Sequence, residues 1–565
     1  MFGFKRSAVQ LVVLSCWALE YYTFGSVVLW YIFTCAVTVA AVLAVTTYDH
    51  DYWASRGVFS PPGWPVVGHI LSVVLFKEQG GMCFKRIYDT YRNERFLGTH
   101  QFYQRTLVVR DPELIKRICV NDFQHFTDRG FFFNKEVDPL AGSVLFLRGN
   151  EWKRLRAKIS PIFSPNKLRG MFPLIENTAQ EFVVRVKSLL TNANHDAQKP
   201  SQKSADGEPE STDLNSAVVD SEKLVGGYTA DAIVPCAFGL KSNVMYNDED
   251  PFAVALHAFY EMSVFNIFEK TMRQFWPAFV LFFKMRIIPK KTHDFFYNIV
   301  TGVLRAREIG EQEKRGDFID MMMALRSDES NNNLKRDAED VEITDMVISA
   351  NAFIIFLGGF ETTSSTLAFL FLELAADQRV QDTMREEIRE VVERHGGKIS
   401  YEILQELSYM EMVIQETLRL YPPFPSIQRL CTRDYPIPGT GITVERGTVV
   451  LFPTLGIQRD EQYFENASSF IPERWSEGSP QPPPGVYMPF GDGPRYCIGK
   501  RFAMIQMKCC LLRLLQHVRI SPASAPRANS LGEPLVEPRT EPFTADPRSP
   551  LTLHPADSLV KLTFL

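Results

Sequence analysis

The chain begins with a long apolar stretch that differs from everything after it. Residues 25–47 are 23 consecutive positions without a charge, and Asp49, His50 and Asp51 follow them. A helix of that length spans about 34 Å, which is enough to cross a bilayer. The pattern predicts an N-terminal transmembrane helix, with residues 1–50 as a membrane anchor.

A shorter apolar stretch, residues 7–19, precedes this helix. It follows Lys5 and Arg6, and it ends before Glu20. The stretch fits a signal-peptide core, an interfacial segment or the first arm of a hairpin, and the sequence leaves these three open.

After the anchor, the chain has a proline-rich stretch and then a pattern that is mainly helical. Proline fixes φ and cannot continue a helix, so the proline-rich residues 51–65 are predicted to form a hinge. Residues 96–102 and 106–109 have the pattern of a strand pair, and helical patterning dominates after them. Residues 192–215 are polar and aperiodic, which predicts a surface insert. The expected fold is mainly α with small β-sheets.

Composition narrows the classes of function. The 565 residues carry a formal net charge of −5 and no long basic run, so no nucleic-acid partner is expected. The nine cysteines are scattered, without a CxxC pair or a CxxCH haem-attachment motif. This argues against a zinc site, a disulfide framework and covalently attached haem. The chain also has no dinucleotide-binding fingerprint.

The strongest chemical signal is the run PFGDGPRYCIGK at residues 489–500. Gly491 and Gly493 permit positive φ, so the loop can aim backbone N–H groups at a sulfur. Cys497 stands just before an apolar helical run, and a helix N-terminus favours the thiolate form. Arg495 is suited to bind a carboxylate. A cysteine at a helix start would by itself indicate only a core residue, whereas the full spacing is highly specific.

This loop resembles the haem-binding loop of the cytochrome P450 family. The pattern F-x-x-G-x-R-x-C-x-G is matched without departure by Phe490, Gly493, Arg495, Cys497 and Gly499. The resemblance implies the cytochrome P450 fold for residues 66–565 as a haem-thiolate catalytic domain, with haem b as cofactor. It makes Cys497 the axial iron ligand. Other segments look most like the microsomal branch that holds vertebrate liver drug oxidases and insect xenobiotic oxidases.

Three charged residues match a structural triad of the family. Glu416 and Arg419 are spaced i, i+3 on a helix predicted over residues 404–420, so they share a face. On their own they would be read as a common surface pair. By resemblance, Arg474 in the run FIPERW joins them in a buried charge triad that supports the cysteine loop.

The run GGFETT, residues 358–363, lies inside a predicted long helix, where these residue types are poor helix formers. Small residues allow a flat cofactor and O₂ to approach the backbone, and a hydroxyl that bonds back to a carbonyl can open the helix. By resemblance, Thr362 holds the proton-delivery network, with Glu361 beside it. Gly358 departs mildly from the family, in which Ala is commoner.

Four more residues match positions that bind a haem propionate in the family. Trp152 and Arg156 lie one helical turn apart, and Arg129 and Arg429 stand in matching segments. Judged from the residues alone, the arginines would be ordinary surface side chains. The resemblance assigns all four to cofactor binding.

The implied function is a monooxygenase that inserts one oxygen atom of O₂ into a lipophilic small molecule, such as a xenobiotic, a steroid or a fatty-acid-like compound. NADPH would act indirectly, through an NADPH–cytochrome P450 reductase, with cytochrome b5 as a further candidate partner. Basic residues on the expected docking face are Lys153, Arg154, Lys158, Lys500 and Arg501. The expected location is the endoplasmic reticulum membrane, with the catalytic domain in the cytosol.

Two other classes of function stay open at this point. One is a haem-thiolate isomerase or dehydratase, which needs no reductase. The other is a non-catalytic haem-binding sensor. Retention of the Glu361–Thr362 pair argues against both, because neither needs a site for proton delivery.

Overall fold

The structure is a computed structural model that describes residues 31–40 except 39, 51–197 except 103, 215–260, 286–331 except 287, 313 and 314, 341–523, and 541–565 except 550. Most of the predicted transmembrane helix and most of the predicted polar insert lie outside the described residues. Residues 31–38 are helical, and Tyr31, Ile32 and Phe33 expose their side chains.

Helices form most of the described chain. In chain order they are α1 (Leu71–Val74), α2 (Gly80–Thr90), α3 (Pro112–Lys116), α4 (Gly149–Ile159), α5 (Pro165–Ala197), α6 (Ser221–Phe238), α7 (Pro251–Tyr260), α8 (Lys290–Glu308), α9 (Phe318–Asn331), α10 (Asp345–Ala376), α11 (Gln378–Arg394), α12 (Ile403–Glu406), α13 (Ser408–Leu420), α14 (Thr454–Gln458) and α15 (Lys500–Leu515).

The strands are few and short. They are β1 (Phe96–Gln101), β2 (Gln104–Val109), β3 (Ser216–Asp220), β4 (Ile427–Leu430), β5 (Tyr435–Pro436), β6 (Thr443–Val444), β7 (Val449–Phe452), β8 (Val518–Pro522) and β9 (Leu559–Phe564). One sheet has the order β1-β2-β7-β4, a second has β3-β9-β8, and β5 pairs with β6. The first sheet mixes antiparallel pairs with the parallel pair β2–β7, where Leu107 stands opposite Val450.

Helix α10 runs through the main core, and a capping side chain stands at its start. The Thr344 hydroxyl accepts a hydrogen bond from the Val347 N–H at 3.3 Å at its start. Asp377 follows its last residue and caps α11 through the Val380 N–H at 3.2 Å. Within the described residues, α10 alone is long and apolar enough to span a membrane. Its second half is buried among α6, α13 and α15, so its apolar character reflects core packing.

Two boundaries differ from the sequence prediction. Helix α5 continues to Ala197, so the start of the predicted insert at residue 192 belongs to a helix. This stretch is the end of a helix, where the absence of apolar periodicity in the sequence is uninformative. The helix expected over residues 404–420 is divided at Leu407, whose ψ of 74° ends α12 before α13 begins.

Candidate active site

The loop before α15 presents Cys497. Its backbone N–H donates to the Phe490 carbonyl at 2.9 Å, which closes the loop on itself. Gly493 has a φ of 70°, and a β-carbon there would collide with the Cys119 carbonyl. Only glycine fits that close approach. The motif therefore reflects steric requirements of this loop as well as its chemistry.

The electrostatic environment of the Cys497 sulfur contains opposing influences. Burial raises the pKa of the thiol, while hydrogen bonds from the Gly499 and Lys500 N–H groups and the charges of Arg156 and Arg129 oppose that rise. The net pKa is above the ordinary value. A metal ion bound to the sulfur would remove the proton outright. The site therefore provides hydrogen-bond donors that favour a thiolate.

Four arginines gather around this loop: Arg129, Arg156, Arg429 and Arg495. Their hydrogen bonds go to backbone carbonyls. Arg495 donates to Thr127 and Leu147, both at 2.8 Å, Arg129 donates to the Arg495 carbonyl at 2.9 Å, and Arg156 donates to the Tyr496 carbonyl at 2.9 Å. Arg429 donates to the Gln428 carbonyl at 2.9 Å, and its buried Nε has no hydrogen-bond partner.

Carboxylates balance only part of the charge in this cluster. The ion pair of Arg495 is with Asp128, at 3.7 Å. Burial, with repulsion from neighbouring arginines, lowers the pKa of Arg495 to about 8 and that of Arg129 to about 9. Burial also lowers the pKa of Arg429. Buried cations in such an excess require an anionic ligand.

Trp152 supports the cluster from α4. Its side chain is buried, and the Arg495 guanidinium lies over its ring at 3.8 Å from the ring centroid. A cation over an indole face is favourable, and the flat stack fixes the direction of the guanidinium. Trp152 therefore orients Arg495. Phe490 belongs to the same loop, and the Lys500 ammonium lies 5.6 Å from its ring centroid.

Helix α10 contributes an acid and a hydroxyl. The Thr362 hydroxyl donates to the Gly358 carbonyl at 2.8 Å. Glu361 accepts hydrogen bonds from the Thr552 hydroxyl at 2.6 Å and from His554 Nε2 at 2.8 Å. The two glycines differ in role, because a β-carbon on Gly359 would press on Ile233 at 2.9 Å, whereas one on Gly358 would meet open space.

Glu416, Arg419 and Arg474 meet behind the cysteine loop. Glu416 Oε1 accepts from Arg419 Nη2 at 2.7 Å and from Arg474 Nε at 2.9 Å. Its Oε2 accepts from Arg419 Nε at 2.8 Å and from Trp475 Nε1 at 2.9 Å. Glu416 and Arg419 are fully buried. Arg419 also donates to the carbonyls of Gln458 and Ala467, which ties α13 to the loop after α14.

Comparison with known proteins decides the family. The family model for cytochrome P450 matches residues 59–539. Cytochrome P450 6j1 of Blattella germanica is 31% identical over 515 residues, which are 91% of this chain and 96% of that protein. The chain belongs to the cytochrome P450 family.

Further relatives give the same result. Cytochrome P450 6B1 of Papilio polyxenes is 31% identical and covers 84% of this chain and 90% of its own length. Probable cytochrome P450 6a23 of Drosophila melanogaster is 32% identical and covers 86% of this chain and 92% of its own length. These relatives come from insects, which agrees with the predicted likeness to insect members. The protein is a P450 monooxygenase with a haem-thiolate cofactor, and its mainly helical fold with small sheets agrees with the prediction.

The residues around Cys497 fit haem b on the chemistry of the site. A haem carries two carboxylates, and the arginine cluster supplies cations that the protein's own carboxylates do not neutralise. The unpartnered Nε of Arg429 is a further donor for such an anion. Cysteine sulfur surrounded by N–H donors suits a haem iron. The predicted cofactor residues that the structure brings together are Cys497, Arg495, Trp152, Arg156, Arg129, Arg429 and Phe490.

Sequence reasoning missed the partners of Glu361. Thr552 and His554 come from the proline-rich C-terminal segment, where no site residue is predicted. Glu222, at the start of α6, accepts a hydrogen bond from His554 Nδ1 at 2.6 Å. No local pattern marks these residues, because each is an isolated polar side chain. The histidine in LTLHP was the available signal.

Proposed function

We propose that this P450 oxygenates a lipophilic small molecule with electrons that a separate NADPH–cytochrome P450 reductase supplies. Bound haem supplies the activation of O₂ and the oxidation of the substrate. The chain itself supplies the thiolate, the arginines that bind the haem propionates, the groups that carry protons and the apolar surroundings. The observation that carries the proposal is the buried arginine cluster beside Cys497, in a chain that belongs to this family.

Cys497 is proposed as the axial ligand. The reduced, carbon-monoxide-bound protein is expected to show the red-shifted Soret band of thiolate ligation, and Cys497→Ser is expected to abolish it. Cys509→Ala and Cys510→Ala are the matched controls, because both cysteines are buried in α15 and lie on the same helix that follows Cys497. A thiolate spectrum that survives Cys497→Ser would refute the assignment.

The four arginines and Trp152 are proposed to hold the haem propionates. Arg495 is oriented by Trp152, and Arg129 donates to the Arg495 carbonyl, so the two guanidinium groups are held near each other. Charge-assisted hydrogen bonds to carboxylates are about twice as strong as neutral ones. The guanidinium groups would thereby orient the cofactor, and Cys497 would supply the thiolate for its iron.

Thr362 and Glu361 are proposed to deliver protons to reduced oxygen. The Thr362 hydroxyl bonds back to the Gly358 carbonyl, a type of contact that can bend or open a helix, beside the open space at Gly358. Thr362→Ala is expected to keep haem content, the thiolate spectrum and NADPH consumption with reductase. Product per NADPH is expected to fall, and hydrogen peroxide to rise, because an ordered proton donor is worth about 10²–10⁴-fold in rate.

Thr363→Ala is the matched control for this experiment. The Thr363 hydroxyl is buried without a hydrogen-bond partner, so its removal takes no contact from the proton path. Unchanged coupling in Thr362→Ala would mean that protons arrive by other groups. Product formation without NADPH or reductase would instead identify an isomerase or dehydratase.

Reductase is proposed to dock on the face formed by the exposed Lys153, Lys500 and Arg501, at α4 and the start of α15. Positive charges there attract an acidic partner and raise the association rate. Cytochrome b5 is proposed to use the same face. Lys500→Glu is expected to raise the reductase concentration needed for half-maximal turnover without changing the carbon-monoxide spectrum. An unchanged reductase dependence would place docking elsewhere.

The chain is proposed to be anchored in the endoplasmic reticulum membrane, with residues 1–50 as the anchor, 51–65 as the hinge and 66–565 in the cytosol. Exposed apolar side chains near the hinge support this, among them Phe59, Trp64, Leu75 and Phe76. Protease added to intact microsomes is expected to digest the catalytic domain. A catalytic domain that is protected until detergent is added would overturn the cytosolic placement.

A further inference from the structure

The C-terminal segment places a histidine between two carboxylates. His554 Nε2 lies 2.8 Å from Glu361 Oε1, and its Nδ1 lies 2.6 Å from Glu222 Oε1. The Thr552 hydroxyl contacts both Glu361 and His554, at 2.6 Å and 2.9 Å. Residues from α6, α10 and the chain end, separated by more than a hundred positions, thus form one continuous line of hydrogen bonds.

This line runs from the surface to the middle of α10. The Glu222 side chain is 36% exposed, whereas the His554 and Glu361 side chains are 14% and 13% exposed. Glu222 stands in the first turn of α6, and water can reach it. Glu361 precedes Thr362 directly in the chain. The line therefore has one end in solvent and the other beside the proposed proton-delivery residue.

The backbone around His554 is fixed on several sides. The Leu553 N–H donates to the Pro423 carbonyl at 2.9 Å, and the Ser365 hydroxyl of α10 donates to the Leu553 carbonyl. The Asp546 N–H donates to the His554 carbonyl at 2.8 Å. The backbone on both sides of His554 is thus held against α10 and by the β-bridge between Ala545 and Pro555. The imidazole therefore has a defined position between the two carboxylates.

Charge favours the protonated ring in this position. Burial opposes a cation at His554, but the hydrogen bonds to Glu222 and Glu361 outweigh it and raise the pKa of the imidazole to about 10. The charged groups that face the ring are Glu222 from α6 and Glu361 from α10. At neutral pH an imidazolium therefore bridges two carboxylates, with an N–H directed at each.

We propose that Glu222, His554 and Glu361 form a proton relay that recharges Glu361 from solvent during turnover. The proposal rests on the proposed proton-delivery role of Glu361 and Thr362. His554 Nε2 gives its proton to the Glu361 carboxylate. Tautomer exchange of the neutral imidazole then moves the remaining ring proton from Nδ1 to Nε2, and solvent returns a proton to Nδ1 through the Glu222 carboxyl, which restores the imidazolium. The net change is one proton moved from water to Glu361, with no change of oxidation state.

The test compares Glu222→Gln and His554→Gln in the full-length haem-loaded enzyme with reductase. Glutamine keeps the size and a hydrogen bond at each position but cannot pass the proton on. His395→Gln is the matched control, because His395 also pairs with a carboxylate, Glu406, at 2.7 Å, on the exposed end of α11. The readouts are hydrogen peroxide per NADPH, product per NADPH and the solvent deuterium isotope effect on product formation.

Both variants are expected to keep the thiolate spectrum and haem content. Product per NADPH should fall several-fold, by less than the roughly 10²-fold that direct loss of a general acid gives, because water can partly replace a relay. The isotope effect should rise, and the double variant should be no worse than His554→Gln, because the groups act in series. His395→Gln should match the unmodified enzyme.

A second readout does not depend on activity. Histidine labelled with ¹⁵N on both ring nitrogens reports the protonation state of the ring by NMR. The unmodified protein is expected to show one imidazolium that persists well above pH 7, and His554→Gln is expected to remove that signal. Glu222→Gln should shift its titration downward, because one of the two stabilising carboxylates is lost.

Three results would overturn the relay. The first is unchanged coupling and isotope effect in both variants while Thr362→Ala uncouples the enzyme, which would leave the proposed function intact. The second is additive losses in the double variant, which would show separate roles. The third is unchanged coupling in Thr362→Ala as well, which would reject the proposed proton delivery and the relay together. If His554→Gln fails to load haem, the partly exposed Glu222→Gln decides alone.

Discussion

Two buried arginine clusters lie close to the cysteine loop, and they differ in how their charge is balanced. In the triad, Glu416 accepts hydrogen bonds from Arg419, Arg474 and Trp475. In the arginine cluster, defined by Arg129, Arg156, Arg429 and Arg495, the hydrogen bonds go to backbone carbonyls. Both clusters combine buried arginines (Arg419, Arg429 and Arg495) with partly buried ones, yet only the first contains a central carboxylate.

This difference separates a structural element from a binding site. A buried guanidinium loses hydration, and it is stable only when an anion or a full set of acceptors replaces the water. Folding itself completes the triad. We propose that the arginine cluster reaches balance only when an anionic ligand binds, because burial and repulsion from neighbouring arginines lower the pKa of Arg495 to about 8 and that of Arg129 to about 9. Unbalanced buried charge therefore points to the cofactor.

The largest expected effect comes from removing the carboxylate of the triad. Glu416→Ala leaves Arg419 and Arg474 buried without their shared anion, which typically costs about 3–5 kcal/mol. We expect haem-free or aggregated protein, as measured by the carbon-monoxide spectrum and thermal unfolding. Glu411→Ala on the same helix is the control. In Glu411→Ala, Lys508 keeps two carbonyl acceptors and loses only a half-exposed carboxylate. The free energy of unfolding is therefore expected to fall by about 1 kcal/mol or less.

A Glu416→Ala protein with full haem and normal stability would contradict the structural role of the triad. In that case the two clusters would not differ in kind, and both would tolerate unbalanced charge.

An intermediate effect is expected from Arg429→Met in the arginine cluster. Loss of one charge-assisted hydrogen bond to a propionate, worth about 1.5–3 kcal/mol, should weaken haem retention by roughly 10- to 100-fold. The haem-free protein should unfold at the same or a higher temperature, because a buried and partly unsatisfied cation is gone. Haem transfer to apomyoglobin and thermal unfolding measure the two effects.

Arg419→Met is the matched substitution in the triad. It should lower stability in both the haem-free and the haem-loaded protein, since Arg419 binds Glu416 and the carbonyls of Gln458 and Ala467. If Arg429→Met destabilised the haem-free protein as much as Arg419→Met, the proposed distinction between the clusters would fail.

The smallest expected effect concerns the third buried cluster, at His554, where the cation lies between two anions. Burial opposes the charge, but Glu222 and Glu361 raise the pKa of His554 from 6.5 to about 10. Because the pKa of His554 is higher in the folded than in the unfolded protein, protonated His554 stabilises the folded state. This contribution is fully present below pH 6.5 and is lost as the pH rises through about 10. The unfolding temperatures of the unmodified protein and His554→Gln should therefore converge over that interval.

His395→Gln supplies the control for the pH series, because its pair with Glu406 is exposed on both sides. Its difference from the unmodified protein should stay small at every pH. A constant difference for His554→Gln across the interval would show that His554 carries no stabilising charge.

Several features of this protein could be predicted from local sequence. The Cys497 loop is contiguous, so its steric and chemical requirements fall within a dozen adjacent residues. Helix α10 combines a capping threonine, Thr344, with a long apolar pattern, and both are local properties. Glu416 and Arg419 are one helical turn apart, so their shared face follows from helix geometry. The mainly helical fold follows from periodicity of the same kind.

Other features arise only when distant segments meet. Arg129 and Arg495 are 366 positions apart, and their proximity depends on how the first sheet and the cysteine loop pack. The family resemblance assigned both to the haem, but no local pattern shows that their charges are left unbalanced. Trp152 was expected to face a propionate, and the structure shows that its ring carries the Arg495 guanidinium.

The sequence by itself determined the helices, the cysteine loop and the residue types of the site, because each depends on neighbours within a turn or a tight loop. The tertiary structure decided which charges are neutralised. The line from Glu222 through His554 to Glu361 joins three isolated polar residues through contacts of 2.6 Å and 2.8 Å. Contacts of that length depend on the packing of α6, α10 and the chain end, which hydrophobic burial fixes over the whole molecule.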